Sequence, residues 1–127
     1  MQSILLVGIG GFLGSIARYK LGDLVLHMTA QGRFPYGTFA VNVLGCLVVG
    51  LLAGAAERYE VFGPDARLFL FTGLLGGFTT FSAFGLETMH LIRRGDLSTA
   101  AMYAGGSVLL GIAAVWLGLK LVSMFPR

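Results

Sequence analysis

Residues 73–87, GLLGGFTTFSAFGLE, place glycines and hydroxyl side chains inside a strongly apolar stretch. Glycine has poor helix propensity, and threonine and serine hydroxyls compete for backbone hydrogen bonds, so the sequence predicts an interrupted helix near residues 76–80. Freed backbone groups are tolerated at membrane depth only where protein buries them or where they line a water-filled cavity. We therefore interpret this stretch as a candidate site at the centre of an assembly. The alternative is a glycine-rich packing face with ordinary membrane hydroxyls.

Aromatic and amide side chains near this stretch could bind a small anion. Phe81 and Phe84 are three residues apart, and a phenyl ring has a positive edge that can face an anion. Thr38 and Asn42 share a helix face, and the Asn42 amide can donate two hydrogen bonds in place of an anion's hydration shell. The alternatives are a phenylalanine stripe that belongs to the core and an asparagine that only bonds neighbouring helices.

Two charged residues fall inside apolar segments. Glu87 is the only acid well inside one, and a carboxylate at membrane depth is by default functional or paired. Arg18 costs at least ~2.5 kcal/mol there unless it snorkels to the interface or finds a partner. Arg18 is therefore either a snorkelling side chain or a fixed positive charge in an anion vestibule. Tyr103 and Ser107, four residues apart, supply hydroxyls on one face of the last segment.

The elements that must position these residues are membrane helices. Hydrophobic residues make up 56% of the 127-residue chain and charged residues 12%, with a mean hydropathy of +0.83. Four apolar segments approach the ~20 residues needed to cross the hydrocarbon core. We predict one all-α membrane domain over residues 1–127, with spans at about 4–28, 34–57, 66–93 and 98–123. The loops are too short to hold an enzyme domain, so the sequence indicates a protein that is not an enzyme.

Composition also limits the partners. Cys46 is the only cysteine, so neither a disulfide framework nor a thiolate metal cluster is available. The net charge of +3 comes from basic residues that mostly flank the spans, as membrane anchoring requires. These residues give no support for nucleic-acid binding.

The basic residues are divided almost evenly between the two sides of the membrane. With four spans both termini share a side, and that side carries four basic residues against five on the other. The four are Arg58, Arg67, Lys120 and Arg127, and the five are Arg18, Lys20, Arg33, Arg93 and Arg94. Such a difference is too small to fix orientation. We therefore expect insertion in both orientations and an antiparallel pair with a two-fold axis in the membrane plane.

Three segments together resemble the Fluc/CrcB family of fluoride channels. These are GGFLGSIAR at 10–18, PYGTFAVN at 35–42 and GLLGGFTTFSAF at 73–84, the last followed by Glu87. The resemblance covers the whole chain and its four-span plan. It implies a multi-pass protein of the bacterial inner membrane that exports fluoride passively and so relieves fluoride toxicity.

The resemblance also implies an assembly and a set of site residues. Family members are dual-topology antiparallel homodimers with two pores and a structural sodium ion at the dimer centre. The sodium ligands would be the backbone carbonyls of Gly76 and Thr79. The pore residues would be Asn42, Phe81, Phe84, Thr38, Ser82, Tyr103, Ser107 and Glu87, with Arg18 at the anion vestibule. This chain departs from the family pattern at Ala83 and Gly111, where hydroxyl residues are common.

Two other functions are compatible with four short spans. A small proton-coupled multidrug exporter needs an acid in its first span, but this chain has none before Asp23 and carries Arg18 instead. A structural membrane protein would use its glycines only for assembly. Packing alone does not require Asn42 and Glu87 inside the spans, so these two residues favour a transport function.

Overall fold

The computed structural model describes residues 1–29 and 32–127, and all regular secondary structure in these residues is helical. Four helical regions are long and apolar enough to cross a membrane. They are Gln2–Met28, Tyr36–Tyr59, Pro64–Arg93 and Leu97–Ser123. The prediction of an all-α protein with four membrane-spanning helical regions is confirmed.

Three of these regions are single helices, and the third is composite. The single helices are α1 (Gln2–Met28), α2 (Tyr36–Tyr59) and α6 (Leu97–Ser123). The third region consists of α3 (Pro64–Arg67), a π-helical segment (Leu68–Leu75), α4 (Gly76–Phe78) and α5 (Phe81–Arg93). The π-helical segment has a wider turn than an α-helix, and such segments often lie at functional sites. Nothing in its sequence predicted it.

Two threonines with extended backbone separate α4 from α5. Thr79 has φ −89° and ψ 158°, and Thr80 has φ −150° and ψ 121°. The predicted interruption over residues 76–80 is wrong for residues 76–78, which are helical. The Thr79 N–H and Oγ1 both donate to the Leu75 carbonyl, at 3.0 and 2.9 Å, and the Thr80 hydroxyl caps α5 by accepting from the Ala83 N–H at 3.3 Å. Threonine side chains, and not the glycines, mark the ends of these helices.

The glycines instead allow neighbouring backbones to approach closely. A Cβ atom on Gly10 would lie only 2.6 Å from the Phe69 carbonyl oxygen, so α1 packs directly against the π-helical segment. A Cβ on Gly118 would lie 2.6 Å from the Leu51 nitrogen, which shows the same close approach between α6 and α2. These contacts hold α1 against the third region and α6 against α2, and α5 also packs directly on α6.

Asp96, in the connector between α5 and α6, is the N-cap residue of α6. Its Oδ1 accepts from the Thr99 N–H at 3.4 Å, and its Oδ2 lies 3.5 Å from Nη1 of Arg33. A hydrogen bond from Thr99 lowers the pKa of the Asp96 carboxyl below its ordinary value, and Arg33 adds to the effect. This contact ties the connector to the segment that precedes α2.

Candidate functional site

The Asn42 carboxamide pairs with the backbone between α4 and α5. Its Nδ2 donates to the Thr80 carbonyl oxygen and its Oδ1 accepts from the Thr80 N–H, both at 2.9 Å. One side chain therefore satisfies both polar groups of a residue that has left the helix, which would otherwise be costly at membrane depth. An amide nitrogen carries two hydrogens, so one remains for another acceptor.

Arg18 reaches the same region from α1. Its Nε donates to the Gly77 carbonyl oxygen at 3.1 Å. This carbonyl belongs to the last turn of α4, where the partial negative charge of helical carbonyls favours a cation. Arg18 therefore has a backbone partner at the end of α4. Its interpretation as a snorkelling side chain or as a fixed charge in an anion vestibule stays a prediction.

Glu87 is held by hydroxyls from two other helices. Thr38 Oγ1 on α2 donates to Glu87 Oε1, and the Tyr103 hydroxyl on α6 donates to Glu87 Oε2, both at 2.7 Å. Tyr103 is fully buried, with a relative exposure of 0%. Hydrogen bonds to a carboxylate are short and about twice as strong as neutral ones. The three predicted residues therefore form one fixed unit that joins α2, α5 and α6.

The aromatic rings continue from this unit to the protein surface. The Phe84 ring centroid lies 5.2 Å from that of Tyr103 and 5.6 Å from that of Phe81. Phe84 is half-buried, but Phe81 is 84% exposed in the single chain. The two rings are neighbours, as their spacing predicted. Within the single chain, Phe84 is partly covered by its neighbours and Phe81 is not.

The two predicted serines are placed less centrally. Ser82 is exposed, and its Oγ lies 3.5 Å from the Thr80 hydroxyl. Ser107 Oγ is buried and has no hydrogen-bond partner among the described residues. A buried hydroxyl without a partner is unusual, so Ser107 can still donate to a ligand. The structure does not bring either serine into hydrogen-bond contact with Glu87 or Asn42.

Two cavities meet at Thr80. The first, here called the arginine cavity, has a volume of about 290 Å³ and is lined in part by Arg18, Thr38, Thr80 and Glu87. The second, here called the phenylalanine cavity, has a volume of about 390 Å³ and is lined in part by Asn42, Gly76, Thr79, Thr80 and Phe81. The Asn42–Thr80 pair therefore lies between one cavity with a fixed positive charge and one with an exposed aromatic ring.

The backbone near Thr80 also offers free oxygen atoms. In the described residues, the carbonyls of Gly76 and Thr79 lack their helical donors, because the Thr80 N–H is directed to Asn42 and the Ala83 N–H to the Thr80 hydroxyl. Oxygen atoms of this kind suit a monovalent cation. The described part of the chain contains no cluster of three or more His, Cys, Asp or Glu side chains that could hold a metal.

Sequence reasoning missed two positions in this site. Thr80 is bonded through its N–H, carbonyl and hydroxyl, and Gly77 supplies the acceptor for Arg18. Their contacts with Asn42 and Arg18 use backbone groups, so their residue types gave no direct signal for these contacts. The nearest signal was the excess of donor side chains, Arg18 and Asn42, inside apolar spans.

Four apolar helical regions, a fixed carboxylate and two cavities with polar side chains in their lining define an integral membrane protein with a candidate site for small ions. Comparison with known proteins assigns the family. Residues 5–119 match the family described as "CrcB-like protein, Camphor Resistance (CrcB)", and the chain belongs to this family.

Curated relatives match almost the full chain. A protein of Methylobacillus flagellatus is 52% identical over 124 residues, which are 98% of this chain and 97% of the relative. A protein of Nitratidesulfovibrio vulgaris is 51% identical over 94% of this chain and 95% of the relative. A protein of Flavobacterium psychrophilum is 44% identical over the same shares. All three carry the name "Fluoride-specific ion channel FluC".

Proposed function

We propose that this chain forms a fluoride-selective channel that lets fluoride leave the cell passively and so relieves fluoride toxicity. The observation that carries the proposal is the near full-length match to relatives named as fluoride-specific ion channels. These names also favour a channel over a proton-coupled exporter, a structural membrane protein or an enzyme. The proposed location is a bacterial inner membrane.

The chemistry of the site supports an anion that is small and strongly hydrated. Such an ion must exchange its water for strong donors or oriented positive ring edges. The free Nδ2 hydrogen of Asn42, the unpartnered hydroxyl of Ser107 and the rings of Phe81 and Phe84 are groups of these kinds. Arg18 lines the arginine cavity and supplies the positive charge that favours entry of an anion.

An antiparallel homodimer is part of the proposal. Phe81 is a proposed pore residue, yet its ring is 84% exposed in the single chain. The phenylalanine cavity, which is lined by Asn42 and the extended threonines, is likewise not enclosed by the single chain. A second copy related by a two-fold axis in the membrane plane would cover both and would bury the backbone near Thr80.

The proposal also includes a structural sodium ion at the dimer centre. The carbonyl oxygens of Gly76 and Thr79 lack their helical donors within the described chain, which fits a set of oxygen ligands. The ion would supply a positive charge that neutralises these carbonyl dipoles. Arg18 and Asn42 hold the adjacent backbone, so the two oxygens would be positioned by this chain's own contacts.

Fluoride efflux from liposomes tests the function. Purified protein is reconstituted with internal potassium fluoride, and external fluoride is followed with an ion-selective electrode after valinomycin is added. We expect rapid release that requires valinomycin, because a passive channel moves net charge. Protein-free liposomes are the control. Equal release without any counter-ion path, or chloride release at the same rate, contradicts the proposal.

A further inference from the structure

A third cavity lies beside Glu87, close to the connector between α5 and α6. Its volume is about 120 Å³. Its lining residues are Arg33, Pro35, Glu87, His90, Leu91 and Arg94. Three of these six side chains are basic. We call this cavity the basic mouth.

Glu87 separates the basic mouth from the arginine cavity. Glu87 and Pro35 line both cavities. Arg18 lines only the arginine cavity, and Arg94 lines only the basic mouth. Both Glu87 oxygens accept hydrogen bonds from Thr38 and Tyr103, so the carboxylate is fixed at this boundary. Positive side chains therefore lie on both sides of one anchored acid.

The positive charge of the basic mouth is only partly neutralised. Arg33 is 77% exposed, and its Nη1 lies 3.5 Å from Asp96 Oδ2, which is a loose ion pair. Arg94 has no acidic partner within ion-pair distance among the described residues. His90 and Arg94 are four residues apart at the end of α5 and so share one face. Arg94 therefore contributes the larger unbalanced charge.

We propose that the basic mouth is an anion-collecting site at the Glu87 end of the pathway, in which Arg94 and Arg33 raise the local concentration of fluoride. This inference rests on the proposed fluoride channel. Membrane anchoring alone does not require these arginines to line a cavity, so the inference gives them a further function. Exposed positive side chains at the opening of a cleft concentrate anions and accelerate their entry, and the carboxylate of this lining, Glu87, is held by Thr38 and Tyr103.

The expected effect is modest and depends on salt. A unit charge about 7 Å from an anion in water changes the local anion concentration about two- to threefold. Exposed charges are screened over about 3 Å at 1 M salt and about 30 Å at 0.01 M. Removing the charge of Arg94 should therefore slow fluoride entry at low ionic strength and have no effect at high ionic strength.

The test compares Arg94→Gln with Arg93→Gln. Arg93 is adjacent in sequence, exposed and equally charged, but it does not line the basic mouth. Initial fluoride efflux is measured at subsaturating fluoride, in about 0.01 M and about 1 M of an impermeant background salt. We expect Arg94→Gln to lower the low-salt rate about two- to threefold and Arg93→Gln to lower it less, because Arg93 does not line the cavity. At high salt all three proteins should have the same rate.

Charge reversal gives a graded second measurement. Arg94→Glu removes two units of charge, so its low-salt rate should fall by about the square of the Arg94→Gln factor. Arg33→Gln should lower the rate less, because Asp96 already offsets part of its charge, and it provides the test if the Arg94 variants do not assemble. Equal losses at Arg93 and Arg94, or unchanged rates at Arg94 and Arg33, overturn the basic mouth. Absence of fluoride release from the wild-type protein overturns the proposed function itself.

Discussion

Replacing Asn42 with aspartate tests the contact that holds the backbone between α4 and α5. The aspartate oxygen can still accept from the Thr80 N–H, but no amide remains to donate to the Thr80 carbonyl. The carboxylate would instead face that carbonyl oxygen, which lies 2.9 Å from Nδ2 in the native protein. A single atom change therefore converts an attractive contact into a repulsive one.

The magnitude follows from the hydrogen bond that is lost. A typical bond contributes about 0.5–1.5 kcal/mol, and leaving a buried acceptor unsatisfied costs about 1–3 kcal/mol. Because the contact is only partly buried, we expect Asn42→Asp to reduce the stability of the local structure by about 2–3 kcal/mol. Fluoride flux should fall severely, because the variant also loses the amide hydrogen proposed for the anion.

Three measurements separate these effects. Thermal unfolding reports stability, liposome efflux reports flux, and hydrogen exchange at the Thr80 amide reports the Oδ1 contact. The Thr80 amide should stay protected in Asn42→Asp and exchange faster in Asn42→Ala, which removes both bonds. Cys46→Ala is the control, because Cys46 lies one turn further along α2 and lines the same cavity, and its side chain makes no hydrogen bond among the described residues. Wild-type flux and stability in Asn42→Asp, or unchanged Thr80 exchange in Asn42→Ala, would refute the reasoning.

Three further predictions concern the aromatic side chains and the topology. Tyr103→Phe removes a bond to the Glu87 carboxylate worth about 1.5–3 kcal/mol, so thermal unfolding should occur at lower temperature and flux should fall. Phe81→Ile and Phe84→Ile should each reduce fluoride flux severely, because both replacements remove a ring edge, while size-exclusion profiles stay unchanged. Cysteines introduced into the loops, in a Cys46→Ala background, should be labelled from both faces of the membrane if both orientations are populated, as proposed.

Each of these predictions has a contrary outcome, and the Tyr103 prediction also has a matched control. Tyr36→Phe removes a hydroxyl from an exposed tyrosine and should leave stability and flux unchanged. A Tyr103→Phe protein as stable as Tyr36→Phe would mean that the bond to Glu87 contributes nothing. Unchanged flux in both phenylalanine variants would exclude the rings from the pathway. Labelling of every loop from one face only would exclude dual topology.

The sequence predicted the four spanning regions because length and hydropathy leave few alternatives for so apolar a chain. It predicted the residue types of the site for a related reason: an amide, an acid and an arginine inside apolar spans require partners. Glu87 shows this directly, since its two oxygens bind Thr38 and Tyr103 from other helices. Hydropathy indicated that a partner was needed but could not identify it.

Backbone conformation was less predictable. Gly76 and Gly77 suggested non-helical backbone, but both are helical, and at Gly77 tight packing against α1 outweighs a propensity difference of about 1 kcal/mol. A Cβ on Gly77 would lie 2.5 Å from the Gly11 carbonyl oxygen, so glycine is required there for close packing. The extended conformation falls instead at Thr79 and Thr80, where side chains from α1 and α2 hold the adjoining backbone. That arrangement depends on tertiary contacts that no local window contains.

The hydroxyls around Glu87 also set a condition on the anion that passes along the proposed pathway. Thr38 and Tyr103 have one O–H hydrogen each, and both donate it to the carboxylate. An anion can accept from either hydroxyl only if that hydrogen leaves Glu87, which costs a bond to a charged acceptor of about 1.5–3 kcal/mol. The new hydrogen bond to the anion offsets this lost bond only when the anion is itself a strong, compact acceptor. The reason is that Coulomb attraction grows as the distance to the charge shrinks. A small halide such as fluoride meets this condition better than a larger one such as chloride. The half-buried carboxylate can therefore favour fluoride without contacting it, by competing for the same hydrogens.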